Sequence, residues 1–206
     1  MPLLRALDVC SQRLAADGVG LSLVATPAGA AEPVLATDPV AEELEELQFT
    51  IGDAPCQSAA RTGDPVLVDD LSACGAWCRW PVLAREMLQR GASGVFAFPV
   101  TVGSVTIGAL NAYRRRPGSL SRGQLGDADT CVRSISALAL GPAGPSEYLD
   151  RVLDGPFHTR VACVHQAAGI LSARYGLTAA DALAQMRLQA VNDERRLIDV
   201  ADEIIG

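Results

Sequence analysis

Thiol groups are the side chains of this sequence best suited to covalent chemistry. Three of the six cysteines, Cys56, Cys74 and Cys78, fall in one stretch of the first half of the chain. Such thiols can serve as a nucleophile and a resolving partner, or as ligands of a metal ion. A zinc site needs further ligands, however, and both histidines, His158 and His165, are distant from this stretch. We therefore expect no metal site and no cofactor, and we interpret most of the cysteines as buried, reduced thiols.

Every basic residue in the chain is an arginine, since none of the seventeen lysine or arginine positions is a lysine. This composition excludes Schiff-base catalysis and P-loop phosphate binding, because both need a lysine amine. It also disfavours a phospho-accepting receiver domain, which uses a lysine. The formal net charge of −7 argues against indiscriminate binding to nucleic acid or to an anionic membrane. Any contact with nucleic acid must therefore come from a local group of arginines.

The last part of the chain carries an apolar stripe with the spacing of a coiled coil. Apolar residues recur alternately four and three positions apart, at Phe157, Val161, Val164, Ala168, Leu171 and Tyr175. This heptad spacing places them on one face of a helix, which is buried against a second helix. A segment this short buries little surface on its own. We therefore predict that the stripe is the seam of a homodimer, which is typical of a regulator rather than an enzyme.

Residues 141–146 divide the sequence into two parts, because two prolines and two glycines in this stretch favour a linker. The preceding part alternates helical and strand patterns, with a hairpin predicted over 94–113 and irregular structure over 69–80. The following part has three helical patterns, and Thr178 is predicted to cap the second. We predict an α+β domain over 1–140, a linker over 141–156 and an all-α three-helix domain over 157–206.

No segment of the sequence is suited to a membrane. The N-terminus lacks the charged stretch and apolar run of a signal peptide. No apolar run approaches the ~20 residues that span a bilayer. We therefore expect a cytoplasmic protein without a membrane partner.

Short motifs in the first part occur in the order found in one family of sensory domains. They include Gly52–Cys56, Arg61–Val66, Phe96–Val100, Gly108–Leu110 and Arg116–Gly118. Together they resemble a GAF domain over about residues 1–140. The resemblance implies an antiparallel sheet flanked by helices, with a sensory pocket for a small-molecule ligand between them. The sequence lacks the pattern for a covalently held bilin, which is a cysteine beside a histidine. We also find no cyclic-nucleotide motif.

Candidate residues for this ligand pocket are aromatic or thiol side chains close to the predicted strands, although such side chains are more often plain core. They are Cys56, Trp77, Cys78, Trp80, Phe96 and Phe98. Some proteins of the GAF fold are cysteine-based methionine sulfoxide reductases, so Cys56, Cys74 and Cys78 leave an enzymatic interpretation open.

The last part resembles an ANTAR domain, the RNA-binding output module of transcription antiterminators. The matching segments include His165–Leu171, Gly176–Thr178, Asp181–Leu183 and Asp199–Ala201. The resemblance implies binding to leader RNA with two small hairpins, which prevents a terminator from forming. Arginines and polar side chains are the groups expected to contact RNA phosphates and looped bases. The candidates are Arg160, Gln166, Arg174, Arg187, Asn192, Arg195 and Arg196.

One position departs from the ANTAR pattern: many members have a lysine where this chain has Ala168. The candidate RNA-binding module therefore lacks one cation. It is also slightly acidic, so we expect a modest and salt-sensitive affinity for RNA.

These observations predict a homodimeric, cytoplasmic transcription antiterminator rather than an enzyme. In this hypothesis a ligand or redox event in the GAF domain changes the geometry of the dimer and thereby aligns two RNA-binding faces. Two alternatives remain. The chain could be a thiol enzyme similar to methionine sulfoxide reductase, or its last helices could be a protein-binding dimerisation module without RNA activity.

Overall fold

The computed structural model describes residues 2–24, 29–139 and 156–206. Its first part contains a five-stranded antiparallel sheet with the strand order β2-β1-β5-β4-β3. The strands are β1 (Gly18–Val24), β2 (Ala31–Ala36), β3 (Val66–Val68), β4 (Gly94–Val102) and β5 (Val105–Arg114). The predicted hairpin is confirmed, since β4 pairs with β5 through a tight turn in which Gly103 has φ +61°.

Helices cover both faces of this sheet. Helices α1 (Pro2–Leu14) and α6 (Arg122–Ala139) cover one face and share a core with β1, β4 and β5. The other face is covered by α2 (Pro39–Ile51), α3 (Pro55–Thr62), α4 (Cys74–Arg79) and α5 (Pro81–Gln89). The sheet is thus the middle of three layers, as the predicted fold class requires.

Local sequence signals explain both ends of α2. The carboxylate of Asp38 accepts hydrogen bonds from the backbone N–H groups of Val40 and Ala41, and Pro39 takes the first helical position. Gly52 ends the helix with φ +76°, a left-handed conformation that glycine adopts without strain.

The segment over 69–80, predicted to be irregular, contains the short helix α4. A turn at Asp70, whose side chain accepts a hydrogen bond from the backbone N–H of Ser72, leads into it. The helix has only six residues, so its apolar pattern is too short to show a helical period in the sequence.

Three helices form the last part of the chain, as predicted: α7 (Pro156–Tyr175), α8 (Ala179–Asn192) and α9 (Leu197–Ile205). Gly176 follows α7 with φ +67°, and the Thr178 hydroxyl caps α8 by accepting from the backbone N–H of Asp181. Almost all of the predicted linker over 141–156 lies outside the described residues, so the domain boundaries remain predictions. Within the described ranges, no helix is long and apolar enough to cross a membrane.

Candidate functional site

The three C-terminal helices pack on α2, and Phe49 lies at the centre of this contact. The side chain of Phe49 is only 5% exposed. Its neighbours in the core belong to the helical part of the chain, among them Val161 and Val164 of α7 and Leu197 of α9. An aromatic residue of the first domain therefore completes the hydrophobic core of the second.

Arg187 of α8 reaches across this contact to the C-terminal end of α2. Its Nε donates a hydrogen bond of 3.1 Å to the backbone carbonyl of Phe49, and its guanidinium lies 5.3 Å from the centre of the Phe49 ring. The last carbonyls of a helix lack partners within the helix and attract cations. Gly52 permits the approach, because a Cβ there would lie 2.9 Å from Arg187 Nη1.

The guanidinium of Arg187 is not fully satisfied in this position. Burial lowers its pKa, and among the described residues its buried Nη2 has no hydrogen-bond partner. A buried, unpaired N–H group costs free energy that an exposed arginine does not incur. The geometry therefore leaves Arg187 with an unused donor, which another acceptor could engage once the contact opens.

Arg160 of α7 forms a second polar contact with α2. Its Nη1 donates to Glu42 Oε1 at 2.8 Å and also to Glu46. These carboxylates lie one helical turn apart, so a single guanidinium reaches both. The ion pairs border a groove of about 730 Å³ between α2, α5 and the C-terminal helices.

A third contact joins α7 to strand β2. The Nε2 of His165 lies 2.6 Å from Oε1 of Glu32. This hydrogen bond raises the pKa of His165, although burial and the nearby Arg187 oppose the shift. The contact is therefore strongest when His165 is protonated.

We expect the contact between the two parts of the chain to weaken as the pH rises. A histidine whose folded-state pKa is raised contributes stability below its ordinary pKa of 6.5 and loses that stability as the pH rises through the raised value. Small-angle X-ray scattering at about pH 6 and about pH 9 should show a larger radius of gyration at the higher pH, which spans this titration. The variant His165→Gln should lose most of this difference, whereas His158→Gln should keep it. Equal pH responses of both variants would contradict the assignment.

Two of the remaining candidate RNA contacts form their ion pairs within the helical part, although both also line the groove beside α2. Arg195 Nη1 pairs with Glu203 Oε2 at 2.9 Å, and Arg196 Nη2 pairs with Asp199 Oδ1 at 2.7 Å, both within the helical part. Three further candidates are exposed: Gln166, Arg174 and Asn192. The structure therefore bonds two of the seven candidates to α2, places Arg195 and Arg196 at the groove beside α2 and leaves the other three exposed.

The predicted dimer seam is mostly buried within the chain itself. Four of its residues are at most 8% exposed: Phe157, Val161, Val164 and Ala168. Leu171 is half-buried, and Tyr175 is 63% exposed. In this conformation the buried part of the seam packs against α8, α9 and Phe49, and only its Leu171 and Tyr175 end stays accessible to a second subunit. The sequence pattern showed that α7 needs a partner but did not show that α2 supplies part of one.

The six candidate pocket residues do not surround one cavity. Cys56 and Trp80 belong to the core under α2 to α5, while Phe96 and Phe98 belong to the core on the opposite face of the sheet. Alternate residues of a strand point to opposite faces, so Phe96 and Phe98 point away from Cys56. Trp77 and Cys78 are exposed on α4. The structure therefore distributes the six candidates over two cores and the surface of α4, and each one stays a separate prediction.

The space between sheet and α2 contains a buried polar network around Glu45 instead. The carboxylate of Glu45, 1% exposed, accepts hydrogen bonds from Ser22 Oγ at 2.5 Å, Asn111 Nδ2 at 2.8 Å and the Tyr113 hydroxyl at 2.5 Å. Burial raises the pKa of Glu45 to about 7, although these hydrogen bonds oppose the shift. Gln48 extends the network by donating to the Tyr113 hydroxyl.

This network was not predicted from the sequence. Glu45 belongs to an acidic run in α2 that suggests a solvent-exposed helix face. The available signal was Asn111, a polar residue in the middle of the apolar strand β5. A polar side chain at such a position requires a buried partner.

Comparisons with known proteins place both parts of the chain in families. Residues 3–126 match the GAF domain family, and residues 159–205 match the ANTAR domain family. Among curated proteins, none matches the chain.

Solved structures show the fold of the first part. One is a domain described as part of a two-component sensor histidine kinase from Sinorhizobium meliloti 1021, with 20% identity and a TM-score of 0.54 over 71% of this chain and 92% of that one. Another is the GAF domain region of a membrane protein from Geobacter sulfurreducens PCA, with 15% identity and a TM-score of 0.51 over 66% and 91%. These structures show the fold, and the family matches show that the chain belongs to the GAF family and carries an ANTAR domain after its GAF domain.

Proposed function

We propose that the protein is a signal-responsive, RNA-binding transcription antiterminator whose GAF domain controls the availability of its ANTAR domain. One observation supports this proposal above all others. Two candidate RNA-binding arginines, Arg160 and Arg187, are engaged by α2 of the GAF domain. We call this arrangement, with the ANTAR helices packed on α2, the closed conformation.

The closed conformation would compete directly with RNA. A guanidinium held against α2, by Glu42 or by the Phe49 carbonyl, is less available to an RNA phosphate, and the Nη2 donor left over on Arg187 is buried in the contact. RNA contact by Arg160 and Arg187 would therefore require both to leave α2. The apparent RNA affinity would then be proportional to the fraction of molecules that are open.

In this proposal the signal is a ligand of the GAF domain. Such a ligand must bind the open conformation more tightly than the closed one, because equal affinity for both conformations would shift nothing. Residues of α2 are well placed to couple the two domains. On one side Glu45 and Gln48 lie in the buried network of the GAF domain, and on the other side Phe49 lies in the ANTAR core.

We further propose that opening permits the dimer predicted from the heptad stripe. Phe157 and Val161 line a narrow crevice together with Phe49 and Pro33 of the GAF domain. Release from α2 would expose these two apolar side chains at one end of the seam. A second copy of the chain could then cover them, which would bring two ANTAR domains to a leader RNA with two hairpins.

Ala168 bears on the strength of RNA binding. Its side chain is 2% exposed and lies in the ANTAR core, so the surface carries no cation at this position. The RNA affinity would therefore depend on the arginines outside the core. It would fall steeply with added salt, because released counterions drive such binding.

A filter-binding titration against dual-hairpin leader RNA tests the proposed function. Arg196 is exposed, and within the described residues its side-chain hydrogen bonds go to Asp199 of α9, so no hydrogen bond to the GAF domain has to break when it turns to RNA. Arg196→Glu should weaken RNA binding by about tenfold or more, since a hydrogen bond to a charged group contributes about 1.5–3 kcal/mol. Arg133→Glu, which changes an exposed arginine of the GAF helix α6, is the matched control. Equal affinities of the two variants would count against RNA contact by Arg196, and no RNA binding under any condition would refute the function.

The structure gives less support to a thiol enzyme. Cys56 is 1% exposed, and its burial, together with the nearby Glu45, raises the pKa of its thiol. A buried, protonated thiol is a poor nucleophile. GAF and ANTAR domains are regulatory domains, which agrees with a regulator acting on transcripts in the cytoplasm.

A further inference from the structure

Two exposed thiols face each other on α4. Cys74 and Cys78 are the first and fifth residues of this helix, and both are exposed. Their Sγ atoms are 3.6 Å apart, within the range of a hydrogen bond between sulfurs. Neither thiol belongs to the contact with the ANTAR domain or to the network around Glu45.

The helix geometry disfavours a direct disulfide between these residues. Side chains four positions apart on a helix have Cβ atoms about 5–6 Å apart. A disulfide needs a Cβ separation of about 3.5–4.5 Å. Oxidation would therefore distort α4, whereas an atom that bridges the two sulfurs would leave the helix in place.

The number of neighbouring ligands and the spacing of the sulfurs together limit the centre that can bridge them. Among the described residues, no group of three or more histidine, cysteine or acidic side chains could hold a metal ion. Two thiolates on a tetrahedral metal such as zinc would lie about 3.8 Å apart, for bonds of about 2.3 Å, but such a metal needs further protein ligands. The observed 3.6 Å fits a pyramidal centre, which holds two sulfurs at a narrow angle.

We propose that Cys74 and Cys78 form a two-thiol binding site for a trivalent organoarsenical. With a monosubstituted arsenic oxide, two S–H bonds break and two S–As bonds form. The oxide oxygen leaves with both protons as one molecule of water. Arsenic stays trivalent, so the reaction needs neither an oxidant nor a reductant. This site goes beyond the proposed RNA function and does not depend on it.

The site is selective because the other thiols are less accessible. Cys10, Cys56 and Cys131 are at most 3% exposed within the two cores of the GAF domain. Cys163 of α7 is half-buried. In the folded protein, only the pair on α4 combines exposure with a neighbouring sulfur among the described cysteines.

Intact-protein mass spectrometry with phenylarsine oxide tests the proposal on the full, folded chain. The wild type should gain one phenylarsenic group, and 2,3-dimercaptopropanol should remove it. Cys74→Ser and Cys78→Ser should each lose the adduct, whereas Cys163→Ser should keep it. Far-UV circular dichroism verifies that each variant remains folded. An unmodified wild type, or an adduct that persists in both Cys74→Ser and Cys78→Ser, would overturn the proposal.

Tryptophan fluorescence gives an independent readout. Trp77 lies between the two cysteines in the sequence and is 40% exposed, whereas Trp80 is buried. Adduct formation should change the emission of the wild type. Trp77→Phe should lose most of this change while keeping the mass of the adduct. An emission change that survives in Cys78→Ser would place the arsenical elsewhere and overturn the assignment.

Discussion

Replacing Phe49 by alanine is expected to separate the ANTAR domain from the GAF domain. Phe49 belongs to α2, yet its buried ring lies in the core of the ANTAR helices. Removing a buried phenylalanine side chain typically costs about 3–5 kcal/mol. Here much of that loss should fall on the contact between the domains. Small-angle X-ray scattering should show a larger radius of gyration than in the wild type, and size-exclusion chromatography should show a dimer if the released seam pairs.

The control for this prediction is Val105→Ala, which truncates an exposed residue of the β4–β5 hairpin. It should leave the radius of gyration unchanged. Because Phe49→Ala could also unfold the ANTAR helices, a second variant keeps the apolar contact. Glu42→Gln combined with Glu46→Gln removes only the partners of Arg160 and should open the molecule more weakly. A wild-type radius in both Phe49→Ala and the double variant would contradict the role given to α2.

Replacing Glu45 by glutamine is expected to remove a pH-dependent loss of stability. The folded-state pKa of Glu45 is about 7, above the ordinary glutamate value of 4.5, because burial penalises the charged form. The folded state therefore binds a proton more tightly than the unfolded state. The resulting stability is fully present below about pH 4.5 and is lost as the pH rises to about 7. Over this range the loss amounts to about 3 kcal/mol.

Urea unfolding of the wild type and Glu45→Gln at about pH 5 and about pH 8 measures this effect, because the two conditions bracket most of the titration. The difference in unfolding free energy between the two proteins should shift in favour of the variant by about 2–3 kcal/mol at the higher pH. Titration of other groups cancels in this difference. Glu43→Gln, an exposed neighbour on α2, is the matched control and should follow the wild type. Parallel pH profiles for Glu45→Gln and the wild type would show that the pKa of Glu45 is not raised by burial.

Local sequence signals were enough to predict many elements of this fold. Asp38 with Pro39 marked the start of α2, and Thr178 marked the start of α8, because a cap depends on only a few neighbouring residues. The hairpin of β4 and β5 could be predicted because both strands are long and a tight turn joins them. The helical period of the last part likewise predicted three helices.

The candidate site could not be predicted in the same way, because it depends on residues distant in the sequence. Phe49 looks like an ordinary core residue of the first domain, and only the structure shows that its ring serves the ANTAR core. Glu45 looks exposed in an acidic helix, and only the strand positions of Asn111 and Tyr113 explain its burial. Helix α4 is too short to show a helical period, so the sequence alone could not show that Cys74 and Cys78 face each other.

The affinity of the full chain for dual-hairpin leader RNA, measured for the wild type and for Phe49→Ala at one salt concentration, tests the central claim most directly. If the GAF domain restrains the ANTAR domain through α2, Phe49→Ala should bind RNA at least about tenfold more tightly, since each 1.4 kcal/mol of lost closure raises the apparent affinity about tenfold. Adding Arg196→Glu to Phe49→Ala should reverse most of the gain. Equal RNA affinities of the wild type and of a folded Phe49→Ala variant, or no binding by either, would contradict the account.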